Sequence, residues 1–213
     1  MGGTFGLAMV SVLAGFLGTL LCIPRIKKLA AGLGFMDQPG GRKKHNRPVP
    51  LLGGIAIFLP LPIVFFLFQQ FMSPVLGPSW HNRISEFLSL FIATAVIVGL
   101  GLIDDRTQLG WRKKLGGQIL GVLILISGGH CLPSATIPFI GPVNFGWFGY
   151  VVFALSVLTV TNAVNLIDGL DGLAGGICFF AATTWGLISL IKGDYSNAVI
   201  GLTLSGSLFA FLL

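Results

Sequence analysis

Charged residues are scarce in this sequence. They make up 9% of its 213 residues, whereas hydrophobic residues make up 54%. So few charges exclude an ordinary soluble domain, because a water-exposed surface needs many more of them. No internal repeat, low-complexity linker or soluble domain interrupts the apolar runs. The composition therefore predicts an integral membrane protein, for which lipid is the solvent over most of the surface.

Cysteine is scarce as well, and so are basic residues at the N-terminus. The three cysteines show neither Cys-x-x-Cys nor zinc-site spacing, so we interpret them as small apolar residues. No basic residue precedes the first apolar run, which is the reverse of the order in a secretory signal peptide. We therefore expect residues 5–24 to form a retained membrane span.

What the chain does contain is a series of long apolar runs, and a membrane-spanning helix needs about 20 such residues. These runs predict an all-α polytopic membrane protein with about seven transmembrane helices and a single transmembrane domain over residues 1–213. Pro60 and Pro62 are expected to kink the second span, and the Pro- and Gly-rich stretch 133–146 to form a small extracytoplasmic hairpin. The seven apolar segments are 5–24, 51–72, 86–103, 114–132, 147–164, 173–191 and 197–213.

Basic residues are concentrated in two loops on one side of these spans. Residues 25–50 and 104–114 hold eleven of the thirteen, and the loops on the other side hold Arg83 and Lys192. The positive-inside rule makes the basic side cytoplasmic and places the N-terminus outside. Acids and bases then converge on the cytoplasmic face, which predicts a site there for a metal ion and a polyanionic substrate. The acids on this face are Asp37, Asp104, Asp105, Asp168 and Asp171.

The last apolar segment has no polar end. Residues 197–213 would form a helix of about 25 Å, somewhat shorter than the hydrocarbon thickness of about 30 Å. The segment ends in Ala210-Phe211-Leu212-Leu213, and a free carboxylate with unpaired carbonyls there would be unfavourable in lipid. We therefore expect the 213 residues to be the N-terminal part of a longer protein, without its later helices and loops.

The most informative motif lies between residues 162 and 176. Asn162, Asn165, Asp168 and Asp171 are spaced three apart between apolar runs, so a helix would carry them along one slowly drifting face. Acids at a membrane boundary are costly unless they have a function. Interhelical hydrogen bonding could account for Asn162, but hardly for two acids and two amides in a glycine-rich frame. The motif predicts a polar wall that faces a cation or a polar ligand.

Two acids and a lysine form a second candidate group. Asp104-Asp105 follows another apolar run, and a solvated turn at the end of a span would explain the pair about equally well. Adjacent carboxylates repel each other, however, and a divalent cation relieves that repulsion. Lys114 opens the fourth span, with Gln118 one turn further, and could share a phosphate with free backbone N–H groups. Lys113 is better explained as a positive-inside anchor.

The basic loop 36–54 is framed by proline and glycine. Attraction to anionic lipid explains part of its charge, but not the rigid Pro-x-Pro-x-x-Gly-Gly entry into the second span. His45 could serve acid–base chemistry here, although a lone histidine is more often a hydrogen-bonding loop residue.

Together these motifs resemble the polyprenyl-phosphate N-acetylhexosamine-1-phosphate transferases, of the glycosyltransferase 4 type. Their order and topology match over essentially the whole chain, and the combination is far more specific than the Asp-Asp pair alone. The Asp-Gln-Pro and Arg-Lys-Lys-His loop is most similar to the branch of undecaprenyl-phosphate N-acetylglucosaminyl-1-phosphate transferases. The matching motifs are Asp37-x-Pro39, Arg42-Lys43, His45, Pro48-x-Pro50, Gly53-Gly54, Gly101-Leu102-Ile103-Asp104-Asp105 and Asn162 to Ala174.

The resemblance implies a multi-pass enzyme of the bacterial inner membrane with its active site on the cytoplasmic face. Such enzymes transfer N-acetylglucosamine 1-phosphate, or a related N-acetylhexosamine 1-phosphate, from a UDP-sugar to undecaprenyl phosphate. UMP is released, Mg²⁺ (or Mn²⁺) is the cofactor, and the product begins a cell-envelope polysaccharide. A homodimer is compatible with the family, and no nucleic-acid partner is expected. The family's later acidic motif and His-rich loop are not in this sequence, so this part alone could be inactive.

The resemblance also implies roles for individual residues. Direct attack by the lipid phosphate and a covalent two-step route through an aspartate both remain open. The predicted catalytic residues are Asp104, Asp105 and Asp168; the predicted metal ligands are Asn165, Asp104 and Asp105; and the predicted substrate-binding residues are Lys44, His45, Lys114, Asn162 and Asp171.

Three alternatives remain. The branch that uses UDP-N-acetylmuramoyl-pentapeptide usually has Thr-Pro-Thr-Met-Gly-Gly where this chain has Val-Pro-Leu-Leu-Gly-Gly at 49–54. An ion-coupled transporter would also carry membrane acids, but it predicts acids near the bilayer midplane and inverted repeats. The third alternative is a non-catalytic fragment that only packs with other membrane proteins.

Overall fold

The computed structural model describes residues 2–37, 48–76, 84–169 and 172–213. Within them, eight helices account for most residues, and two short antiparallel hairpins connect some of them. The helices are α1 (Gly2–Leu33), α2 (Gly53–Phe58), α3 (Pro60–Leu76), α4 (Ile84–Thr107), α5 (Trp111–Ser127), α6 (Gly149–Ile167), α7 (Leu173–Ile191) and α8 (Tyr195–Leu212). The strands are β1 (Met36–Asp37), β2 (Val49–Pro50), β3 (Ser134–Ile137) and β4 (Gly141–Asn144), and a 3₁₀ turn covers Gly146–Phe148.

The described residues contain six helices that are long and apolar enough to cross a membrane. This confirms the predicted all-α polytopic membrane protein of about seven transmembrane helices. The remaining predicted span, 114–132, corresponds to α5, which is shorter than these six with 17 residues, or about 25 Å of helix. Its first turn carries Arg112, Lys113 and Lys114, so its apolar part is shorter still. The six are Thr4–Leu33, Gly53–Phe71, Ile84–Thr107, Gly146–Ile167, Leu173–Ile191 and Tyr195–Leu212.

The second span breaks where the sequence predicted a kink. α2 ends at Phe58 and α3 begins at Pro60, because a proline cannot supply the N–H that would continue the backbone ladder. The Leu59 N–H still donates to the carbonyl of Ile55 at 3.0 Å, so the two helices continue one another through a single intervening residue.

The chain forms two compact helical units. The first unit contains residues up to 75 and from 169 onwards, and the second contains residues 76–168. Two packed units can belong to one membrane domain, so the predicted single transmembrane domain stays a prediction.

α8 is the core of the first unit, where it packs against α1 and α7. Val199, Thr203 and Ser207 are fully buried. Glycines permit this close approach: a Cβ at Gly15 would collide with the backbone carbonyl of Thr203, and one at Gly206 with that of Val12. Small residues at such contacts let helix backbones meet in lipid, where packing replaces the hydrophobic effect.

In the same unit, β1 and β2 join the ends of the basic loop. Met36 pairs with Pro50 and Asp37 with Val49, and the Leu51 N–H donates to the Phe35 carbonyl at 3.1 Å. The backbone on either side of residues 38–47 is therefore held together.

The second unit consists of α4, α5, the β3–β4 hairpin and α6. Gly117 and Gly121 of α5 face Leu100 and Ile97 of α4, and Gly128 packs against Ser89. The hairpin pairs Ser134 with Asn144 through Ile137 with Gly141, which confirms the hairpin predicted for 133–146. This unit carries most of the described candidate site.

Candidate active site

The turn between α4 and α5 is built around the Asp104 side chain. The Asp104 Oδ1 accepts a hydrogen bond from the backbone N–H of Leu109 at 3.0 Å, and the Asp104 carbonyl accepts one from Gln108 at 2.7 Å. Gln108 adopts a left-handed conformation with φ of 49°, which reverses the chain after the helix. The Asp104 side chain thus ties the turn that follows α4 to the last turn of the helix.

The other carboxylate oxygen of Asp104 binds Lys114. Its Oδ2 lies 2.6 Å from the Lys114 Nζ, and the two side chains are 22% and 27% exposed, respectively. Lys114 in turn lies in the first turn of α5, where its N–H donates to Gly110. Two residues that the sequence predicted to act on the same substrate are therefore in direct contact.

Asp105 follows on the last turn of α4 and is exposed. Beyond the turn, Trp111 begins α5 with 69% of its surface exposed, and the Arg112 guanidinium lies 5.2 Å from the centroid of its ring. An exposed tryptophan beside cations is typical of a membrane–water boundary. This turn therefore has the character of a membrane interface.

The end of α6 carries the predicted metal ligand and a predicted catalytic acid. Asn165 lies in its last turn and Asp168 directly follows it, and both are exposed. The Asp168 N–H still donates to the Val164 carbonyl at 3.2 Å, so its backbone continues the helix by one residue.

A pair of carboxamides connects α5 to α6. Asn162 Nδ2 donates to Gln118 Oε1 at 2.9 Å, and Gln118 Nε2 donates to Asn162 Oδ1 at 3.3 Å. Because α5 runs away from the α4–α5 turn and α6 runs towards its own end at Asp168, this pair brings the two ends to the same side of the second unit. Asp104, Lys114, Asn165 and Asp168 therefore lie at one end of it.

A cavity of about 210 Å³ lies on the other side of Gln118, between α4, α5 and α6. Aliphatic side chains such as Ile97, Val122 and Leu158 form most of its wall, and Gln118 and two threonines, Thr94 and Thr161, contribute its polar atoms. The amide pair thus separates the polar end of the unit from an apolar interior.

The predicted site residues fall into three groups. Asp104 contacts Lys114, while Asp105, Asn165 and Asp168 are exposed at the same end of the unit. Asn162 contacts Gln118, so the interhelical interpretation is correct for its side chain, and its role in substrate binding stays a prediction. Lys44, His45 and Asp171 lie outside the described residues.

Whether Mg²⁺ suits this site can be judged from the oxygen donors that the side chains offer. The described residues contain no group of three or more His, Cys, Asp or Glu side chains that could hold a metal ion. Mg²⁺ usually binds through one or two carboxylates, waters and substrate phosphates rather than through a complete protein cage. The carboxylates of Asp104 and Asp105 and the amide oxygen of Asn165 are donors of that kind, so their chemistry fits the ion.

Two contacts of the site were not predicted from the sequence. The first is the bond between Asp104 and the Leu109 N–H, which depends on the turn conformation. The second is the bond between Gln118 and Asn162, which are 44 residues apart. The i, i+4 spacing of Lys114 and Gln118 placed them on one face, but it did not reveal that they bind partners on different helices.

The chain is similar to a set of bacterial transferases. A model of the family described as glycosyl transferase family 4 matches residues 87–213. A Bacillus subtilis protein named probable undecaprenyl-phosphate N-acetylglucosaminyl 1-phosphate transferase is 29% identical over 205 residues, which cover 96% of this chain and 54% of the relative. A Mycobacterium tuberculosis decaprenyl-phosphate N-acetylglucosaminephosphotransferase is 33% identical over 135 residues, which cover 63% and 32%.

A third relative, from Haemophilus influenzae, is named undecaprenyl-phosphate alpha-N-acetylglucosaminyl 1-phosphate transferase. It is 26% identical over 146 residues, which cover 68% of this chain and 38% of the relative. The chain thus spans about half the length, or less, of the curated relatives it matches.

Proposed function

Since the chain belongs to glycosyl transferase family 4, as its motifs predicted, we propose that it is part of a membrane-bound sugar-1-phosphate transferase. The donor is a UDP-N-acetylhexosamine, UDP-N-acetylglucosamine first of all, and the acceptor is a polyprenyl phosphate such as undecaprenyl phosphate. The names of the three relatives support the acceptor and the N-acetylglucosaminyl group. The product is a lipid-linked sugar, and UMP is released.

The observation that carries this proposal is the Asp104–Lys114 pair at the polar end of the second unit. A partly exposed ammonium group, fixed by a carboxylate, is suited to bind phosphate oxygens, which both substrates possess. Asn165 and Asp168 lie at the same end, next to apolar helices that can lie beside a prenyl chain in lipid. A soluble anionic donor and a membrane-anchored acceptor would meet at such a boundary.

The reaction forms one phosphorus–oxygen bond and breaks another. An oxygen of the lipid phosphate attacks the β-phosphorus of the UDP-sugar, and UMP leaves with the bridging oxygen. Charge builds on the equatorial and leaving oxygens, so positioned cations dominate catalysis. In this proposal Lys114 binds these oxygens in an orientation that Asp104 fixes, and Asp105 or Asp104 accepts the proton of the lipid phosphate.

The remaining predicted residues complete the proposed site. Asp168 orients the nucleotide, and Asp171, Lys44 and His45 bind the substrates. Mg²⁺, when bound by Asn165 with Asp104 and Asp105, would neutralise charge on the phosphate oxygens. The concentration of basic residues on this side of the spans supports a cytoplasmic active site in the bacterial inner membrane.

The test is UMP release by the whole native protein, purified in detergent and supplied with undecaprenyl phosphate and UDP-N-acetylglucosamine. We expect UMP to form, and we expect Asp168→Asn to abolish its release while expression stays normal. Ser156→Ala is the control, since Ser156 lies on α6 as well, is exposed, and donates to the Val152 carbonyl within its own turn. Retained activity in Asp168→Asn would contradict the role of Asp168, and UMP release only with UDP-N-acetylmuramoyl-pentapeptide would favour the peptidoglycan branch.

The metal is tested separately by chelation. We expect EDTA to stop UMP release by the native protein, and we expect added Mg²⁺ or Mn²⁺ to restore it, because donors of this type need a divalent cation to assemble the phosphates. Activity that survives exhaustive chelation would show that Lys114 and its neighbours neutralise the charge without a metal.

A further inference from the structure

The carboxamides of Gln118 and Asn162 form a reciprocal pair. Each side chain donates to the other, at 2.9 and 3.3 Å, and the second Nδ2 proton of Asn162 goes to the Leu158 carbonyl at 2.8 Å. Gln118 is 4% exposed, so its amide has little access to water. Asn162 itself is exposed on α6, but both protons of its amide are bound to protein acceptors.

The pair lies one helical turn from the candidate chemistry on both helices. On α5, Lys114 precedes Gln118 by four residues, and on α6, Asn165 follows Asn162 by three. Residues three or four apart on a helix are neighbours on one face. The rotation of each helix at the amide pair therefore determines the direction in which Lys114 and Asn165 point.

α6 buries little of its surface, although near its start the Phe153 ring stacks on His130 with centroids 6.2 Å apart. Among its described residues only Gly149, at the opposite end, is buried, and no residue of its most apolar stretch is buried. Apolar side chains in lipid tolerate many rotations, because lipid tails are as apolar as they are. A reciprocal amide pair tolerates few rotations, because two donors must face two acceptors. A polar asparagine at a helix interface sets the register of coiled coils for the same reason.

We propose that Gln118 and Asn162 are positioning residues, which hold Lys114 of α5 and Asn165 of α6 at a fixed distance across the site. This inference rests on the proposed transferase function, and it gives Asn162 a role through Gln118 rather than through the substrate. It also explains why a membrane protein buries a glutamine between apolar helices.

The test uses the whole native protein with three variants: Gln118→Met, Asn162→Leu and the exchange variant Gln118→Asn/Asn162→Gln. The exchange keeps both amides and their combined length, so it can rebuild the pair. Thr183→Val is the control, because it removes another interhelical hydrogen bond, the one between the Thr183 and Ser205 hydroxyl groups at 2.6 Å, in the other unit. Spin labels at positions 112 and 166, both exposed, report the distance between the helix ends.

We expect both single variants to broaden the distance distribution and to lower kcat about 10- to 100-fold, because small misplacements have such effects. Each Michaelis constant should change less than about threefold, since the binding groups remain. The exchange variant should recover a narrow distribution and most of kcat, and the control should match the unmodified protein.

Two results would overturn the proposal. In one, the single variants lose activity while the distance between the spin labels is unchanged, and the exchange variant does not recover kcat. This result would mean that the two amides contact the substrate. In the other, neither distance nor activity changes. If the unmodified protein releases no UMP, the transferase proposal fails, while the distances still decide whether the pair fixes the helices. A single variant that does not fold leaves the exchange variant as the deciding measurement.

Discussion

At the scale of the residue, one carboxylate does two things at once. Asp104 holds the α4–α5 turn through the Leu109 N–H and binds Lys114 with its other oxygen. The sequence predicted Asp104 and Lys114 as candidates, because acids and bases at span ends are rarely placed there without a function. It could not predict that they touch, since that contact depends on the left-handed turn at Gln108. For Asn162 the sequence left interhelical hydrogen bonding open beside the predicted substrate binding, and it did not identify Gln118 as the partner.

We expect Lys114→Met to raise the Michaelis constants for both substrates about 10- to 100-fold. Methionine keeps the apolar stem but removes a charged hydrogen bond to phosphate, which is worth about 1.5–3 kcal/mol. The loss of folding stability should be only about 1 kcal/mol or less, because the pair with Asp104 is partly exposed and such pairs contribute little. Steady-state kinetics together with an unfolding curve in detergent separate the two effects.

Lys113→Met is the matched control for this prediction. Lys113 is the preceding residue of α5 and is exposed, so the same charge is lost without loss of the Asp104 contact. Equal kinetic effects of the two substitutions would mean that Lys114 contributes only general positive charge.

At the scale of the element, proline breaks were predictable and glycine contacts were not. Pro60 ends α2 for a local reason that can be read from the sequence. Gly15, by contrast, contacts Thr203, a residue from the far end of the chain, and nothing in the neighbouring sequence identifies that partner. The end of α5 was not predictable either: its apolar run was expected to continue to residue 132, but the helix ends at Ser127.

We expect Gly15→Ala to destabilise the first unit by about 1–3 kcal/mol, the usual cost of overpacking. The added methyl group would meet the backbone carbonyl of Thr203, which cannot move aside as a side chain could. Gly6→Ala, in the same helix, should be neutral or stabilise by up to about 1 kcal/mol, since nothing lies within 4 Å of a Cβ there. Unfolding by denaturing detergent measures both, and equal stabilities would disprove the close contact.

At the scale of the whole molecule, the apolar pattern predicted the fold class and nearly all of the spans. It did so because a segment that crosses lipid must pair all of its backbone N–H and C=O groups, and a continuous apolar helix does this by itself. The candidate site was predicted less completely, since the residues that form it come from α4, α5 and α6. These residues meet only because the three helices pack together, and the residues next to each of them in the sequence do not reveal that packing.

We expect a single cysteine at position 168 to react with a membrane-impermeant maleimide only from the cytoplasmic side. A single cysteine at position 139, the exposed tip of the β3–β4 hairpin, should react only from the opposite side. Both are introduced after the three native cysteines have been replaced, and labelling is compared in right-side-out and inverted vesicles. Reaction of position 168 from both sides would favour the transporter alternative over the transferase.

The packing of α8 against α1 also constrains how the protein is made. Gly15 and Thr203 are separated by about 190 residues, which a ribosome adds in about 10–40 s at 5–20 residues per second. During that interval the Gly15 side of α1 lacks the helix that packs against it, so it must wait in the membrane or beside the insertion machinery. The second unit is contiguous in the chain, so its helices can assemble during this time, and the first unit is completed only when α8 emerges.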